Sequence, residues 1–182
     1  VIEVSDGTIY AGTGFFEGDV FKSTDGGANW SNTGELTATS TVHSLIEASD
    51  GALYAGTRSF GDTGRVFKSI DGGVNWTITG DLVGAWSVLS VMEASDGALY
   101  AGTYPYAYVF KSTNGGVSWD TTRCYWASRV HSLIEASSGA LYAGTELDGD
   151  VFKSTNAGTT WVNTGELAGA QRVFSLLEAS DG

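Results

Sequence analysis

The chain repeats itself. Tyr-Ala-Gly-Thr begins at Tyr10, Tyr54, Tyr100 and Tyr142, in steps of 44, 46 and 42 residues. Phe-Lys-Ser begins at Phe21, Phe67, Phe110 and Phe152, and a Trp closes each unit at Trp30, Trp76, Trp119 and Trp161. Glu-Ala-Ser or a close variant recurs at Glu3, Glu47, Glu93, Glu135 and Glu178, and all four lysines (Lys22, Lys68, Lys111, Lys153) hold one repeat position. A unit this short cannot bury its apolar face alone, so neighbouring copies must stack. The units run over 1–41, 42–87, 88–129 and 130–172, with the start of a fifth over 173–182, and together make one repeat domain.

Each unit reads as four short strands. In the second, Val42 to Ala48 is strand A, Ser49-Asp50-Gly51 a turn, Ala52 to Thr57 strand B and Val66 to Ser69 strand C. Asp71-Gly72-Gly73 is a second tight turn, and Asn75 to Thr79 is strand D. The strands are rich in β-branched and aromatic residues, the turns in Asp and Gly, and no stretch holds a helical period. Four antiparallel strands per unit of this length predict an all-β fold, a β-propeller of four-stranded antiparallel blades, with four blades in this chain. A β-solenoid is the alternative, but its repeats are shorter and its strands parallel.

Ser23-Thr24-Asp25-Gly26-Gly27-Ala28-Asn29-Trp30 resembles the Asp-box, or bacterial neuraminidase repeat, Ser-x-Asp-x-Gly-x-Thr-Trp. So does the stretch from Ser69 through Asp71 to Trp76. The copies at Ser112 to Trp119 and Ser154 to Trp161 carry Asn114 and Asn156 in place of the Asp, and only the fourth keeps the Thr, as Thr160. The resemblance implies a hairpin turn between strands C and D, with its Trp buried between blades. Ser beside Asp is therefore read as turn chemistry and not catalysis, since Asn substitutes for a hydrogen-bond acceptor but not for a catalytic carboxylate. Asp-boxes occur in sialidases, some glucanases, sorting receptors and photosystem assembly factors, so the motif implies fold more than activity.

Strands that alternate in direction put the constant A–B and C–D turns on one face and the B–C and D–A loops on the other. The second face carries the variation. Of 22 aromatics, 12 are the repeated Tyr, Phe and Trp, and nine of the remaining ten fall in these loops, Phe174 being the exception. All five arginines fall there too. Loops are ordinarily polar, so this concentration predicts a binding face. Its expected residues are Phe15, Phe16, Phe60, Arg65, Trp86, Tyr104, Tyr106, Tyr108, Tyr125, Trp126, Arg129 and Arg172. His43, Leu89, His131 and Phe174 share one position, which reads as a packing slot. Glu17, Asp19, Glu146, Asp148 and Asp150 read as solvated charges, because the EF-hand spacing is absent. The Glu47 and Lys68 sets read as structural charges at blade edges.

A net charge of −12 argues against nucleic acid, which demands a basic surface. A hydrophobic fraction of 42% excludes disorder, no apolar run reaches the roughly 20 residues of a membrane span, and the single Cys124 excludes an internal disulfide. A sialidase would place an arginine triad and a Tyr on the loop face. Arg65, Arg129 and Arg172 with Tyr104, Tyr106 or Tyr108 could be cast so, but Arg-Ile-Pro is absent, and Pro105 is the only proline. The expected function is a secreted, extracellular or periplasmic binding module for a glycan or a protein partner, with no catalytic residue, metal or cofactor. A scaffold without a small-molecule ligand and a fragment of a sialidase-like hydrolase are the alternatives. Five A segments accompany four sets of B, C and D. The chain is therefore expected to be a segment of a larger propeller or array, with self-association through open blade edges as a further route to closure.

Overall fold

The computed structural model describes residues 1–15, 17–61, 63–80 and 82–179. Blade 1 comprises β1 (Ile2–Glu3), β2 (Ile9–Gly12), β3 (Asp19–Ser23) and β4 (Ser31–Glu35). Blade 2 comprises β5 (Thr39–Glu47), β6 (Leu53–Ser59), β7 (Thr63–Ser69) and β8 (Thr77–Ile78). Blade 3 comprises β9 (Ser87–Glu93), β10 (Leu99–Tyr104), β11 (Tyr108–Ser112) and β12 (Asp120–Arg123). Blade 4 comprises β13 (Arg129–Glu135), β14 (Leu141–Glu146), β15 (Asp150–Ser154) and β16 (Val162–Glu166). Within each blade, consecutive strands pair antiparallel, and one rung, Arg58↔Ser87, links blades 2 and 3. No α-helix occurs among the described residues.

The core lies in the three seams between blades. One apolar cluster joins Tyr10, Val20, Val42 and Phe67, a second Tyr54, Val66, Val88 and Phe110, and a third Tyr100, Val109, Val130 and Phe152. The Gly of each Tyr-Ala-Gly-Thr is required by this packing. A Cβ added at Gly12, Gly56, Gly102 or Gly144 would stand 2.5, 2.8, 2.6 or 2.7 Å from a methyl of Val42, Val88, Val130 or Val173. The Tyr of the same motif crosses the seam: the hydroxyls of Tyr10, Tyr54 and Tyr100 donate to the carbonyls of Gly72, Gly115 and Ala157 at 3.0, 3.2 and 3.0 Å. The later glutamates of the Glu-Ala-Ser motif latch the blade before their own. Glu47, Glu93, Glu135 and Glu178 each accept the backbone N–H and the hydroxyl of Ser5, Ser49, Ser95 and Ser137, respectively.

The C–D turns are the expected hairpins. In each, the Ser hydroxyl donates to the Asp or Asn side chain at 2.8–2.9 Å and accepts at 2.9 Å the N–H of Gly27, Gly73, Gly116 or Gly158, four residues on. The opposite partner changes in step. Asp25 and Asp71 accept from the amides of Asn29 and Asn75, whereas Asn114 and Asn156 donate to the hydroxyls of Ser118 and Thr160. Donor faces acceptor in all four copies, so Asn replaces Asp without loss.

Three expectations need correction. Only Trp161 is buried, at 9% exposure; Trp76 and Trp119 are half-buried and Trp30 is 42% exposed. Trp76, Trp119 and Trp161 pack on the blade before their own, whereas no described blade lies beside Trp30 in that position. The strands also run further into the loop face, so Arg58 and Arg65 stand on β6 and β7. Residues 173–179 form no strand, although one was expected over Val173 to Ser180. They lie where the inner strand of a next blade belongs. Val173 N–H donates to Thr145 at 2.9 Å, and Leu176 N–H to the Ser132 hydroxyl at 3.1 Å. Strand β2 keeps β1 as its inner partner, through Ile2↔Tyr10 and Glu3↔Ile9, so the last segment does not close a four-blade ring.

Candidate functional site

The loop face is built from three repeat positions. The residue after Tyr-Ala-Gly-Thr is Gly14, Arg58, Tyr104 and Glu146 in turn. The residue before the seam valine is Thr41, Ser87, Arg129 and Arg172, and the one after it is His43, Leu89, His131 and Phe174. The fold brings these positions together at the ends of the inner strands. His43, Arg58, Ser87, Leu89, Tyr104, Arg129 and His131 line one cleft of about 300 Å³ across blades 2 to 4.

The cleft is organised by Glu146. Its carboxylate accepts from Arg129 at 2.8 Å and meets His131 Nε2 at 3.0 Å and Arg172 at 3.3 Å. Burial opposes its ionisation, but the hydrogen bonds from His131 and Arg129 and the charges of Arg129 and Arg172 outweigh this and hold it below the usual carboxylate range. The Arg129 guanidinium also stacks 4.2 Å from the Tyr104 ring centroid, and Trp86 meets Tyr104 edge-on at 5.6 Å. Desolvation works against the Arg129 charge, yet bonding to Glu146 and Tyr104 raises its pKa above the ordinary value. His43 is pushed below its ordinary range by the desolvation of packing around it, then by the charges of Arg58 and His131. A net-acidic chain thus gathers two arginines and one histidine about one carboxylate.

A second cluster flanks the cleft on blade 3. Arg123 lies 5.5, 5.8 and 5.7 Å from the ring centroids of Tyr106, Tyr108 and Tyr125, and its Nε donates to the Tyr106 carbonyl at 2.7 Å. Tyr106 and Tyr125 are 51% and 65% exposed, and Trp126 beside them 88%. Among the described residues, six of the seven non-glycine positions with positive φ lie in the variable loops, Tyr106, Ala107 and Trp126 among them. Each such residue costs about 1–3 kcal/mol, and such conformations concentrate at ligand sites.

The expected site residues therefore separate into groups. Tyr104 and Arg129 line the cleft, with Trp86 packed on Tyr104 and Arg172 paired with Glu146 behind them, and Tyr106, Tyr125 and Trp126 form the exposed aromatic surface. Tyr108 is half-buried and packs against Phe110, so it supports this surface from below. Phe15 and Phe60 line a separate groove of about 400 Å³ with Ser40, Thr41 and Arg58. Arg65 is half-buried on β7 and joins neither group. Phe16 lies outside the described residues. Two readings are overturned. Glu146 is an ion-pair hub rather than a solvated charge, and Asp150 is buried and accepts from Asn163 at 2.7 Å. The slot of His43, Leu89, His131 and Phe174 faces the cleft rather than the core; Phe174 is 63% exposed and rests on His131 at 4.8 Å. No group of three or more His, Cys, Asp or Glu that could hold a metal occurs among the described residues.

Neither a protein-family model nor a curated protein matches the chain. Solved structures do. A GH74 enzyme from Niastella koreensis superposes with a TM-score of 0.69 at 20% identity, over 86% of this chain and 27% of that one. YCF48 bound to D1 peptide gives 0.63 at 13%, over 89% and 51%, and the nidogen/laminin complex 0.64 at 12%, over 88% and 62%. These are β-propeller proteins, so this chain has a β-propeller fold and spans well under the full length of each. They include an enzyme and binding proteins alike.

Proposed function

We propose that this chain is a non-catalytic binding module of the Asp-box type, secreted to an extracellular or periplasmic setting, and that its loop face binds a protein partner. The observation that carries this is the pairing of a built cationic cleft with exposed Tyr106, Tyr125 and Trp126 on the same face. Tyr, Trp and Arg are the residues that dominate protein-recognition energies, because each combines large contact area with few rotamers or a multidentate charge. Two of the similar structures, by their descriptions, are of YCF48 with D1 peptide and nidogen with laminin. Glu146 does not suit acid catalysis: a general acid needs a raised pKa, and this carboxylate is lowered. A glycan is the second reading, favoured by the flat, exposed rings of Tyr125 and Trp126. Parallel screens of a glycan array and a peptide library, each repeated with Arg129→Ala and Trp126→Ala, test the proposal. Peptide hits lost in both variants support a protein partner, sugar hits lost in Trp126→Ala favour the glycan, and hits unaffected by either variant refute the site.

A further inference from the structure

We infer that the pocket where the loops of blades 1 and 2 meet is a second binding site, separate from the cleft, and that it takes a neutral sugar. The pocket holds about 510 Å³, and Glu17, Asp19, Asn32, Leu36, Ala38 and Phe60 are among its lining residues. That volume lies in the range of roughly 300–1,000 Å³ that small-molecule sites occupy. Its walls are held by backbone. Gly18 N–H donates to the Thr39 carbonyl and Phe60 N–H to the Ala38 carbonyl, each at 3.0 Å, so loops of both blades are pinned around one space. Leu36, 1% exposed, anchors the connection between β4 and β5 to the core. Ala38 turns that connection with a left-handed φ of 59°.

Blade 4 shows the same corner closed. Strands β3 and β15 share the sequence Asp-Val-Phe-Lys-Ser. Both meet the next strand in one register: Asp19↔Glu35 and Phe21↔Asn32 match Asp150↔Glu166 and Phe152↔Asn163. In both, the Asn Oδ1 accepts a backbone N–H, from Gly34 at 3.0 Å or Gly165 at 2.7 Å. In blade 4 the amide then donates to Asp150 at 2.7 Å, and Asp150 is buried. In blade 1 no bond joins Asn32 to Asp19 among the described residues, and both residues line the pocket instead. An amide donor and a carboxylate acceptor are thereby left for a ligand.

That pair suits a group that donates and accepts at adjacent atoms. Vicinal hydroxyls do this: one donates to the carboxylate, and its neighbour accepts from the amide. The bond to the carboxylate is charge-assisted and the stronger of the two. The Phe60 ring, 59% exposed, offers an apolar surface for the C–H face of a pyranose. No Lys or Arg lines the pocket, and Glu17 and Asp19 repel acidic sugars, so its chemistry is opposite to that of the cationic cleft. A calcium ion is the poorer fit. It takes six to eight oxygens, and no group of three or more His, Cys, Asp or Glu that could hold a metal occurs among the described residues.

Saturation-transfer NMR with the methyl glycosides of glucose, galactose, mannose and N-acetylglucosamine tests this. At least one is expected to bind the whole chain at millimolar concentration. Asp19→Asn, which keeps the size and removes the charge, is expected to weaken binding about tenfold, and Phe60→Ala about fivefold. A melting curve for each variant confirms that it folds. Arg129→Ala and Trp126→Ala leave this sugar bound, so the result stands apart from whether the cleft and its aromatic flank bind a protein. A chain that takes up none of the four glycosides overturns the inference. Binding that survives both pocket variants, or is lost in Trp126→Ala, overturns it as well. So does a preference for methyl glucuronide over methyl glucoside, or calcium binding lost in Asp19→Asn with no glycoside bound.

Discussion

On the turn face, Ser23, Ser69, Ser112 and Ser154 accept the same amide hydrogen bond at 2.9 Å in all four blades. On the loop face, one repeat position supplies Gly14, Arg58, Tyr104 and Glu146. The strands between are shared, so the faces differ only in whether neighbouring blades must match there. A turn that receives the Tyr and Lys of the previous blade cannot change alone. A loop end that meets only solvent and its own neighbours can, and there four blades assemble one asymmetric cleft.

Truncations at one repeat position offer the strongest way to break this comparison. Trp161→Ala removes a buried ring and is expected to cost about 3–5 kcal/mol, whereas Trp30→Ala is expected to cost about 1 kcal/mol. Urea titrations of the two variants check this, and equal losses would show that the motif rather than its neighbour sets the contribution. Gly102→Val, which forces a Cβ to within 2.6 Å of a Val130 methyl, is expected to cost about 3 kcal/mol by the same measurement.

Loop-face substitutions sharpen the contrast. Trp126→Ala is expected to move stability by less than about 0.5 kcal/mol while weakening a ligand found by screening by about 2 kcal/mol. Thermal melts and binding titrations on one sample measure both. At the smallest scale, Ala157 holds φ 54° where the other boxes have Gly, so Ala157→Gly is expected to gain about 1 kcal/mol. A loss would mean that the left-handed strain is relieved elsewhere.

Acid separates the turns from one another. Hydrogen bonds from the Asn29 side chain and N–H and from Ser23 hold Asp25 down at about 2, and those from Asn75 and Ser69 lower Asp71. A lowered folded-state pKa contributes stability that is present above the unfolded value and lost as pH falls through the folded one. The Asp25 and Asp71 turns should therefore weaken as pH falls below about 4, while the Asn114 and Asn156 turns do not titrate. Hydrogen exchange across that range, resolved at the four turns, reads this directly; equal loss in all four would oppose it.

The blades were legible in the sequence because period, turn residues and strand composition agree at every repeat. The box Trp was only half legible: its burial depends on a neighbour, and residues 23–30 do not say whether one precedes them. The loop-face cluster was legible by counting aromatics and arginines outside the repeat, which included Tyr104, Trp86 and Arg129. Glu146 was read as solvated, since an acidic residue in a polar loop carries no local sign that Arg129, His131 and Arg172 fold over it. Aligning the units would have exposed it, because Arg58, Tyr104 and Glu146 share one column and Arg129 and Arg172 another.

Residues 173–179 hold the place of an inner strand with no second strand beside them, secured by Val173 against Gly144 and Glu178 against Ser137. The covalent unit and the folding unit are thus out of phase. Each inner segment rests on the blade before it as well as on its own hairpin partners, so a cut at a repeat boundary in the sequence does not fall at a boundary in the packing. Loosening one inner strand therefore loosens two blades, its own and the one before it.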